Sequence, residues 1–297
     1  MRLAVSNIAW PSGADADAAK ILADHGAEGV EIAPTKVWPR PLDADESDVL
    51  AYRKTWEQRG LRVVALQALL FGRPDLVLFG DGAVHRQTID YLKGMIDLAS
   101  ALGAGALVFG SPKNRLIGDR PREEADVIAT AIFRELGDYA ANSGTAFCIE
   151  ANPAAYGCDF VTSTVEAAEL VARVDSEGFG LHLDTGGMTL SGEDPVQTVV
   201  GLTPRCRHFH ASEPHLAPVG RGGADHPAFR TALRAVQYEG WVSIEMKEAV
   251  TVGAWLETLR DSLVYSKAAY AISSQGTPTT AEQSGCFTEV DRPRPRS

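Results

Sequence analysis

Short apolar runs alternate along the chain with longer stretches in which apolar residues recur every three or four positions. The short runs predict eight strands, at residues 2–8, 29–34, 62–69, 106–111, 146–151, 180–185, 207–212 and 241–246. The stretches between them, such as 88–103 and 123–144, have the period of amphipathic helices. Several of these stretches end in glycine, including Gly103 and Gly240, and glycine commonly follows the carboxyl end of a helix.

This strict alternation of strand and helix predicts an α/β fold with a parallel sheet and right-handed crossovers. Eight such units in about 270 residues match a single (β/α)8 TIM barrel. A doubly wound sheet is the rival, but SNIAWPSG after the first strand lacks the glycine-rich phosphate-binding fingerprint. We expect the barrel domain to cover residues 1–272. Residues 273–297 are polar and without period, and are predicted to form a disordered tail.

Composition narrows the class of protein. The 297 residues are 45% hydrophobic and 23% charged, which is ordinary for a globular protein. The formal net charge of −11 disfavours nucleic acid as a partner. No apolar run has the length of a membrane helix, and the amino terminus does not resemble a signal peptide, so we expect a cytoplasmic protein without a membrane partner. Cys148, Cys158, Cys206 and Cys286 show no CxxC spacing and are expected to be reduced thiols.

Ionisable residues end the last four predicted strands. They are Glu150, Asp184, His210 and Glu245, one in each βα unit. Each shares a face with the residue two positions earlier, and the intervening residues are large and apolar, so the polar faces point into the barrel. A single acid at a strand end usually caps a helix or pairs with a loop lysine. Four in register predict convergence at the barrel mouth, where TIM barrels carry their catalytic groups.

Three carboxylates in one poorly hydrated site repel each other unless they are protonated or a cation neutralises them. A divalent metal ion removes this repulsion. Three oxygen ligands and one imidazole suit Mn²⁺ or Mg²⁺ best, and Co²⁺ and Zn²⁺ are also compatible. The sequence therefore predicts one divalent ion, with Mn²⁺ as the first choice.

The stretches GVEI, IEANP, LHLDTGGM, HFHASEP followed by PVGRG, and SIEM resemble the xylose isomerase-like TIM barrel superfamily, in particular its sugar phosphate isomerase/epimerase branch. The resemblance covers about residues 1–270 and implies that the four strand-end residues bind the metal. It also implies that Glu150 and Glu245 form the acid/base pair. Ketose 3-epimerases carry a histidine three residues after the aspartate, where this chain has Gly187. Endonuclease IV-type members use additional histidines on the earlier strands, and the predicted strands one to four have none.

The expected function is a metal-dependent sugar or polyol isomerase or epimerase that removes a proton next to a carbonyl through an enediolate. The alternative is a metal-dependent dehydratase or lyase that uses the same site on a keto-inositol or a 3-keto-sugar. A carbohydrate-binding barrel without catalysis is the second alternative. The expected partners are a small sugar or polyol substrate and further copies of the chain, in a dimer or tetramer, as is common among relatives.

Further side chains near the predicted strand ends are candidates for substrate binding. Most of them also have a structural explanation without any role in binding. Glu31 can pair with a loop cation, the loop cations can be exposed to solvent, and Trp10 can pack in the core. His182 lies one layer deeper, as does His208, where it can support the metal ligands or pack in the core. Arg221 is suggested by the resemblance, which implies an arginine after the seventh strand. The candidates are Trp10, Glu31, Gln67, Lys113, Arg115, His182 and Arg221.

Overall fold

The computed structural model describes residues 1–202, 205–248 and 254–272. Within these ranges, eight parallel strands pair in sequence order, and β8 pairs with β1 to close a barrel. The predicted TIM barrel is therefore confirmed, whereas the predicted disorder of 273–297 lies outside the described residues. The strands are β1 (Arg2–Ser6), β2 (Gly29–Ile32), β3 (Arg62–Leu66), β4 (Ala106–Phe109), β5 (Ala146–Glu150), β6 (Phe179–Asp184), β7 (Cys206–Ser212) and β8 (Trp241–Glu245).

Helices follow each of these strands where the structure describes the chain. They are α1 (Asp15–Asp24), α2 (Glu46–Glu57), α3 (Gly82–Leu102), α4 (Arg122–Asn142), α5 (Thr164–Val174), α6 (Thr185–Leu190), α7 (Pro195–Leu202), α8 (His226–Ala235) and α9 (Trp255–Tyr270). Helix α6 begins at the residue after β6, so this junction has no loop. Among the described helices, none combines the length and the apolar character needed to cross a membrane.

The core has two layers, as the alternation of side chains along the strands requires. Ile149, Leu183, Phe209 and Ile244 are fully buried in the large cluster that also contains the apolar residues of the helices. A separate small cluster consists of Ala4, Val64, Ala65, Ala106, Ala146 and Cys148. Small side chains thus fill part of the barrel interior, and the polar residues of β5 to β8 face this interior.

The predicted helix ends are correct in part. Gly103 follows α3 with a φ of 78°, in the left-handed region that favours glycine. The prediction for Gly240 is wrong, because the left-handed residue after α8 is Gln237, with a φ of 54°. A Cβ atom on Gly240 would lie 2.3 Å from the hydroxyl oxygen of Tyr238. This glycine is therefore required by close packing.

The register of β5 to β8 decides which ionisable residues meet. Glu150 is paired with His182, Asp184 with His210, and Ser212 with Glu245. By this register, Glu150 shares a level with His182 and His208, Asp184 shares the next with His210, and Glu245 lies one level further along with Ser212. Cys148, Cys158 and Cys206 are free thiols, as predicted, and Cys286 lies outside the described residues.

Candidate active site

A cluster of acids and histidines lies at the carboxyl ends of β5 to β8. One donor atom each from Glu150, His182, Asp184 and His210 lies within 4.8 Å of the others. Nδ1 of His210 is 3.3 Å from Oε2 of Glu245 and 3.9 Å from Oδ2 of Asp184. The structure thus brings together the four predicted strand-end residues, and His182, in register with Glu150, joins them.

Asp184 is held by the residues that follow it and by the neighbouring strand. Its Oδ1 accepts a hydrogen bond of 2.6 Å from the amide of Gly187, which makes it the cap of α6. Its Oδ2 accepts a hydrogen bond from the hydroxyl of Ser212. A Cβ atom on Gly186 would lie 2.7 Å from the carbonyl of Glu213, so the backbone here approaches β7 closely. The glycines after Asp184 therefore allow the close turn that fixes its carboxylate.

The carboxylates of the cluster repel one another. Burial, Asp184 and Glu245 raise the pKa of Glu150 from 4.5 to about 8. Burial and Glu245 raise the pKa of Asp184 from 3.8 to about 6, against the opposing effects of His210 and Ser212. A bound cation would remove this repulsion, since it favours the ionised form of both acids.

Histidine nitrogens in the cluster complete a donor set for a metal. Among the described residues, neither ring nitrogen of His182 has a hydrogen-bond partner, and Nδ1 of His210 has none of acceptable geometry. Buried polar atoms without partners are uncommon and call for an explanation, such as an ion or water. Carboxylate oxygens with imidazole nitrogens fit a divalent transition metal ion. The residues present therefore fit the predicted metal.

Glu31 is fully buried inside the barrel and contacts this cluster through His210. Its Oε2 is 2.9 Å from Nε2 of His210 and accepts a hydrogen bond of 2.7 Å from the hydroxyl of Ser243. Burial alone would raise the pKa of Glu31, but His210 and His208 outweigh it, and the pKa is well below 4.5. Burial would lower the pKa of His210, but Glu31 and Glu245 raise it well above 6.5. Glu31 and His210 therefore interact directly in the interior of the barrel, and each shifts the pKa of the other.

Two of the residues predicted to contact substrate, Gln67 and Trp10, are buried and form hydrogen bonds with other side chains. Gln67 directly follows β3, and its Nε2 donates a hydrogen bond of 2.8 Å to the hydroxyl of Ser6. The indole nitrogen of Trp10 donates a hydrogen bond of 2.8 Å to Asp15, and its ring centroid is 6.3 Å from that of Trp56. Trp10 has no exposed surface. The structure therefore places Trp10 in the core beneath α2.

The predicted cations lie in three different environments. Arg115 is fully buried, and its guanidinium donates to Sγ of Cys158 at 3.2 Å and to the carbonyl of Val161 at 3.3 Å. Lys113, two residues earlier, is exposed. Arg221 is exposed, and it pairs at 2.6 Å with Asp261 of α9. The structure does not bring these three side chains into the metal cluster.

Sequence reasoning missed Ser212 and Ser243, which hold the acids of the site. Ser212 binds Asp184 and also accepts a hydrogen bond of 2.8 Å from the amide of Gly186. Both serines lie on the inward face of their strands. Ser243 is paired with His210 across β7 and β8, and Ser212 lies two residues after His210 on β7. The alternation along β7 and β8 was the signal that could have identified them.

A second buried pair of acid and histidine fixes the loop after β7. Oε1 of Glu213 accepts hydrogen bonds from the amide of Gly220 at 2.8 Å and from Nε2 of His226 at 3.1 Å. Oε2 accepts a hydrogen bond of 2.8 Å from the amide of Ala224. Nδ1 of His226 is 2.8 Å from the hydroxyl of Tyr270, at the end of α9. These contacts tie the loop to the last described helix.

Known proteins with similar sequences include sugar epimerases and dehydratases. The chain is 24% identical over 238 residues to the L-ribulose 3-epimerase of Methylomonas sp. (strain DH-1), which covers 80% of this chain and 79% of that protein. It is 27% identical over 185 residues to an inosose dehydratase of Lacticaseibacillus casei, covering 51% of this chain and 60% of that protein.

Solved structures with the same fold include a D-psicose 3-epimerase in the presence of D-fructose, with a TM-score of 0.77 and 16% identity over 91% of this chain and 99% of that one. A 3-keto-D-glucoside 4-epimerase from E. coli has a TM-score of 0.74 and 17% identity over 90% and 99%. The IOLI protein with a bound zinc atom has a TM-score of 0.69 and 19% identity over 91% and 96%. Residues 19–268 match the family described as xylose isomerase-like TIM barrel, and the chain belongs to this family.

Proposed function

We propose that this protein is a divalent-metal-dependent sugar or polyol isomerase or epimerase. Glu150, Asp184, His210 and Glu245 bind one ion, with Mn²⁺ as the first choice and Mg²⁺, Co²⁺ and Zn²⁺ as alternatives. The observation that carries the proposal is the convergence of these side chains at the carboxyl end of the barrel. The raised pKa values of Glu150 and Asp184 support it, since they reflect negative charge that lacks a cation.

A proton next to a sugar carbonyl is too weakly acidic for a free carboxylate to remove. A bound divalent ion supplies the positive charge that stabilises the enediolate formed when this proton leaves. Glu150 on β5 and Glu245 on β8 lie on either side of β6 and β7, so their carboxylates approach the site from different directions. One of the two glutamates takes the proton and the other returns it.

The carbon to which the proton returns decides the product. Return to the same carbon from the opposite face gives an epimer, whereas return to the neighbouring carbon gives an isomer. The similarity to an L-ribulose 3-epimerase over most of both chains supports the first outcome. The zinc atom in the IOLI protein, which has the same fold, supports the presence of a metal.

A metal-dependent dehydratase is the second candidate. Here the same proton leaves, and a hydroxyl on the next carbon leaves as water. Gly187 favours this candidate, because it stands where ketose 3-epimerases carry a histidine. The similarity to inosose dehydratases, at 27% identity, also supports it. A barrel that only binds carbohydrate is the remaining alternative, and it predicts binding without proton exchange.

The test is solvent deuterium incorporation in a panel of ketoses, inososes and 3-keto-glycosides. The protein is stripped with EDTA, reloaded with Mn²⁺ and followed by NMR in D₂O. We expect deuterium next to the carbonyl of the true substrate. Exchange without water loss supports the epimerase, and water loss supports the dehydratase. Activity that persists without metal and in the presence of chelator would refute the proposal.

Variants then test the two glutamates. Glu150→Gln and Glu245→Gln are expected to abolish exchange while the circular dichroism spectrum stays unchanged. Glu57→Gln is the control, because Glu57 lies on the exposed surface of α2. Wild-type exchange rates in both site variants would contradict the assignment. The dimer or tetramer expected from the family resemblance is tested separately, by size-exclusion chromatography with light scattering.

A further inference from the structure

We propose that Glu31 is the positioning residue that fixes the imidazole of His210 for metal binding, an inference that rests on the proposed function. Glu31 lies on β2, and His210 lies on β7, on another side of the closed barrel. The glutamate reaches through the interior, and its Oε2 is 2.9 Å from Nε2 of His210. When a histidine binds a metal through one ring nitrogen, a side chain that accepts a hydrogen bond from the other nitrogen orients the ring. It also makes the metal-binding nitrogen more basic.

The contact determines which nitrogen of His210 is available to the metal. Oε2 of Glu31 already accepts a hydrogen bond from the hydroxyl of Ser243, so it acts as an acceptor, and Nε2 of His210 donates its hydrogen atom to it. In a neutral imidazole, Nδ1 then keeps its lone pair. Nδ1 is the atom that lies 3.3 Å from Glu245 and 3.9 Å from Asp184, which are two of the three acids proposed as metal ligands. Glu31 therefore directs the lone pair of His210 at the metal site.

Glu31 is itself held firmly enough to serve this role. The hydroxyl of Ser243 donates a hydrogen bond of 2.7 Å to the same Oε2 atom. Nε2 of His208 lies 3.5 Å from this oxygen. Glu31 has no exposed surface, so a sugar at the barrel mouth does not reach it. The structure thus favours support of a metal ligand over the substrate contact expected from the sequence.

A second pair in the same protein provides a matched comparison. Glu213 and His226 are also buried, and their contact of 3.1 Å also joins a carboxylate to Nε2. The other nitrogen of His226, however, lies 2.8 Å from the hydroxyl of Tyr270. The two pairs share their chemistry and differ in what the second nitrogen faces. Loss of the Glu213 carboxylate should therefore affect the loop and leave metal binding unchanged.

The experiment compares Glu31→Gln with Glu213→Gln, in the absence of substrate. Titration calorimetry of stripped protein measures Mn²⁺ affinity, and ¹⁵N NMR of the Zn²⁺-loaded protein observes the hydrogen on Nε2 of His210. Glu31→Gln is expected to weaken Mn²⁺ binding by about 10- to 100-fold and to shift the Nε2–H signal upfield. Glu213→Gln is expected to change the affinity by less than about twofold and to leave this signal in place.

Ser243→Ala is the second variant, in case Glu31→Gln does not fold. It leaves the carboxylate of Glu31 in place but removes one of its anchors, so a smaller loss of affinity is expected. Wild-type affinity and an unshifted His210 signal in folded Glu31→Gln or, failing that, in Ser243→Ala would overturn the inference. Absence of metal binding in the wild-type protein would instead refute the proposed function.

Discussion

In the metal-free protein, replacing Glu150 with glutamine is expected to stabilise the fold at neutral pH. Burial and the charges of Asp184 and Glu245 raise the pKa of Glu150 from 4.5 to about 8. The unfolded chain releases this proton near its ordinary pKa, whereas the folded chain keeps it until higher pH. Folding therefore takes up a proton between these values, and the stability of the wild-type protein falls as the pH rises through this window. Glutamine has nearly the same shape and no proton to lose.

The size of this loss of stability follows from the difference between the pH of the experiment and the ordinary pKa of glutamate. Each pH unit above that pKa lowers the free energy of unfolding by about 1.4 kcal/mol, until the folded pKa is reached. At pH 7 the loss is about 3 kcal/mol, and at pH 5 it is below about 1 kcal/mol. With a urea dependence of about 3 kcal/mol per molar, the midpoint of Glu150→Gln lies about 1 M higher at pH 7.

The assay is urea unfolding in EDTA at pH 5 and pH 7, followed by circular dichroism. Glu57→Gln is the control, and its exposed pair with Arg53 is worth at most about 1 kcal/mol at either pH. If the urea midpoints of wild type and Glu150→Gln differed by the same amount at pH 5 and at pH 7, the reasoning would be refuted. With Mn²⁺ the order is expected to reverse, because bound metal stabilises the protein that binds it more tightly.

Three further substitutions test other parts of the site. Asp184→Asn is expected to weaken Mn²⁺ binding at least about tenfold in calorimetry, since it removes a ligand charge, and an unchanged Kd would contradict its role as a ligand. Gly110→Ala places a methyl group 2.3 Å from Oε2 of Glu150, so at least about a tenfold loss of proton exchange is expected with an unchanged circular dichroism spectrum. A wild-type exchange rate would contradict the required position of Glu150. Burial would raise the pKa of Glu213, but His226 and the amides of Ala224 and Gly220 lower it below its ordinary value. This stabilisation is present above pH 4.5 and is lost as the pH falls through the folded pKa, so Glu213→Gln should lower the urea midpoint at pH 7 more than at pH 3. An equal change of the urea midpoint at pH 7 and pH 3 would contradict this prediction.

The barrel could be predicted from the sequence because its determinants are periodic. Side chains of neighbouring residues on a strand face opposite sides, so Leu183 and Phe209 had to be packed against helices if Asp184 and His210 faced the interior. Parallel strands end at the same edge, which brings strand-end residues together without knowledge of any loop. These two rules account for the eight strands and for the meeting of the acids in the structure.

The remaining side chains depend on contacts between residues far apart in the sequence. Arg115 was expected near solvent or substrate, but its guanidinium is buried against Cys158 and Val161, over 40 positions later. The partner of Glu31 is 179 residues away on β7. Long side chains after a strand can turn inward or outward, and no local pattern decides between these conformations. Their environments therefore required the structure.

The contact between His226 and Tyr270 has a consequence for protein synthesis. Asp184 and His210 are translated well before α9, yet the loop beside them is fastened by the last residue of that helix through Glu213. A nascent chain that has emerged only as far as β8 still lacks this fastening. The loop after β7 is therefore expected to become fixed only once α9 has left the ribosome, whereas the four proposed metal ligands on β5 to β8 are already synthesised by then.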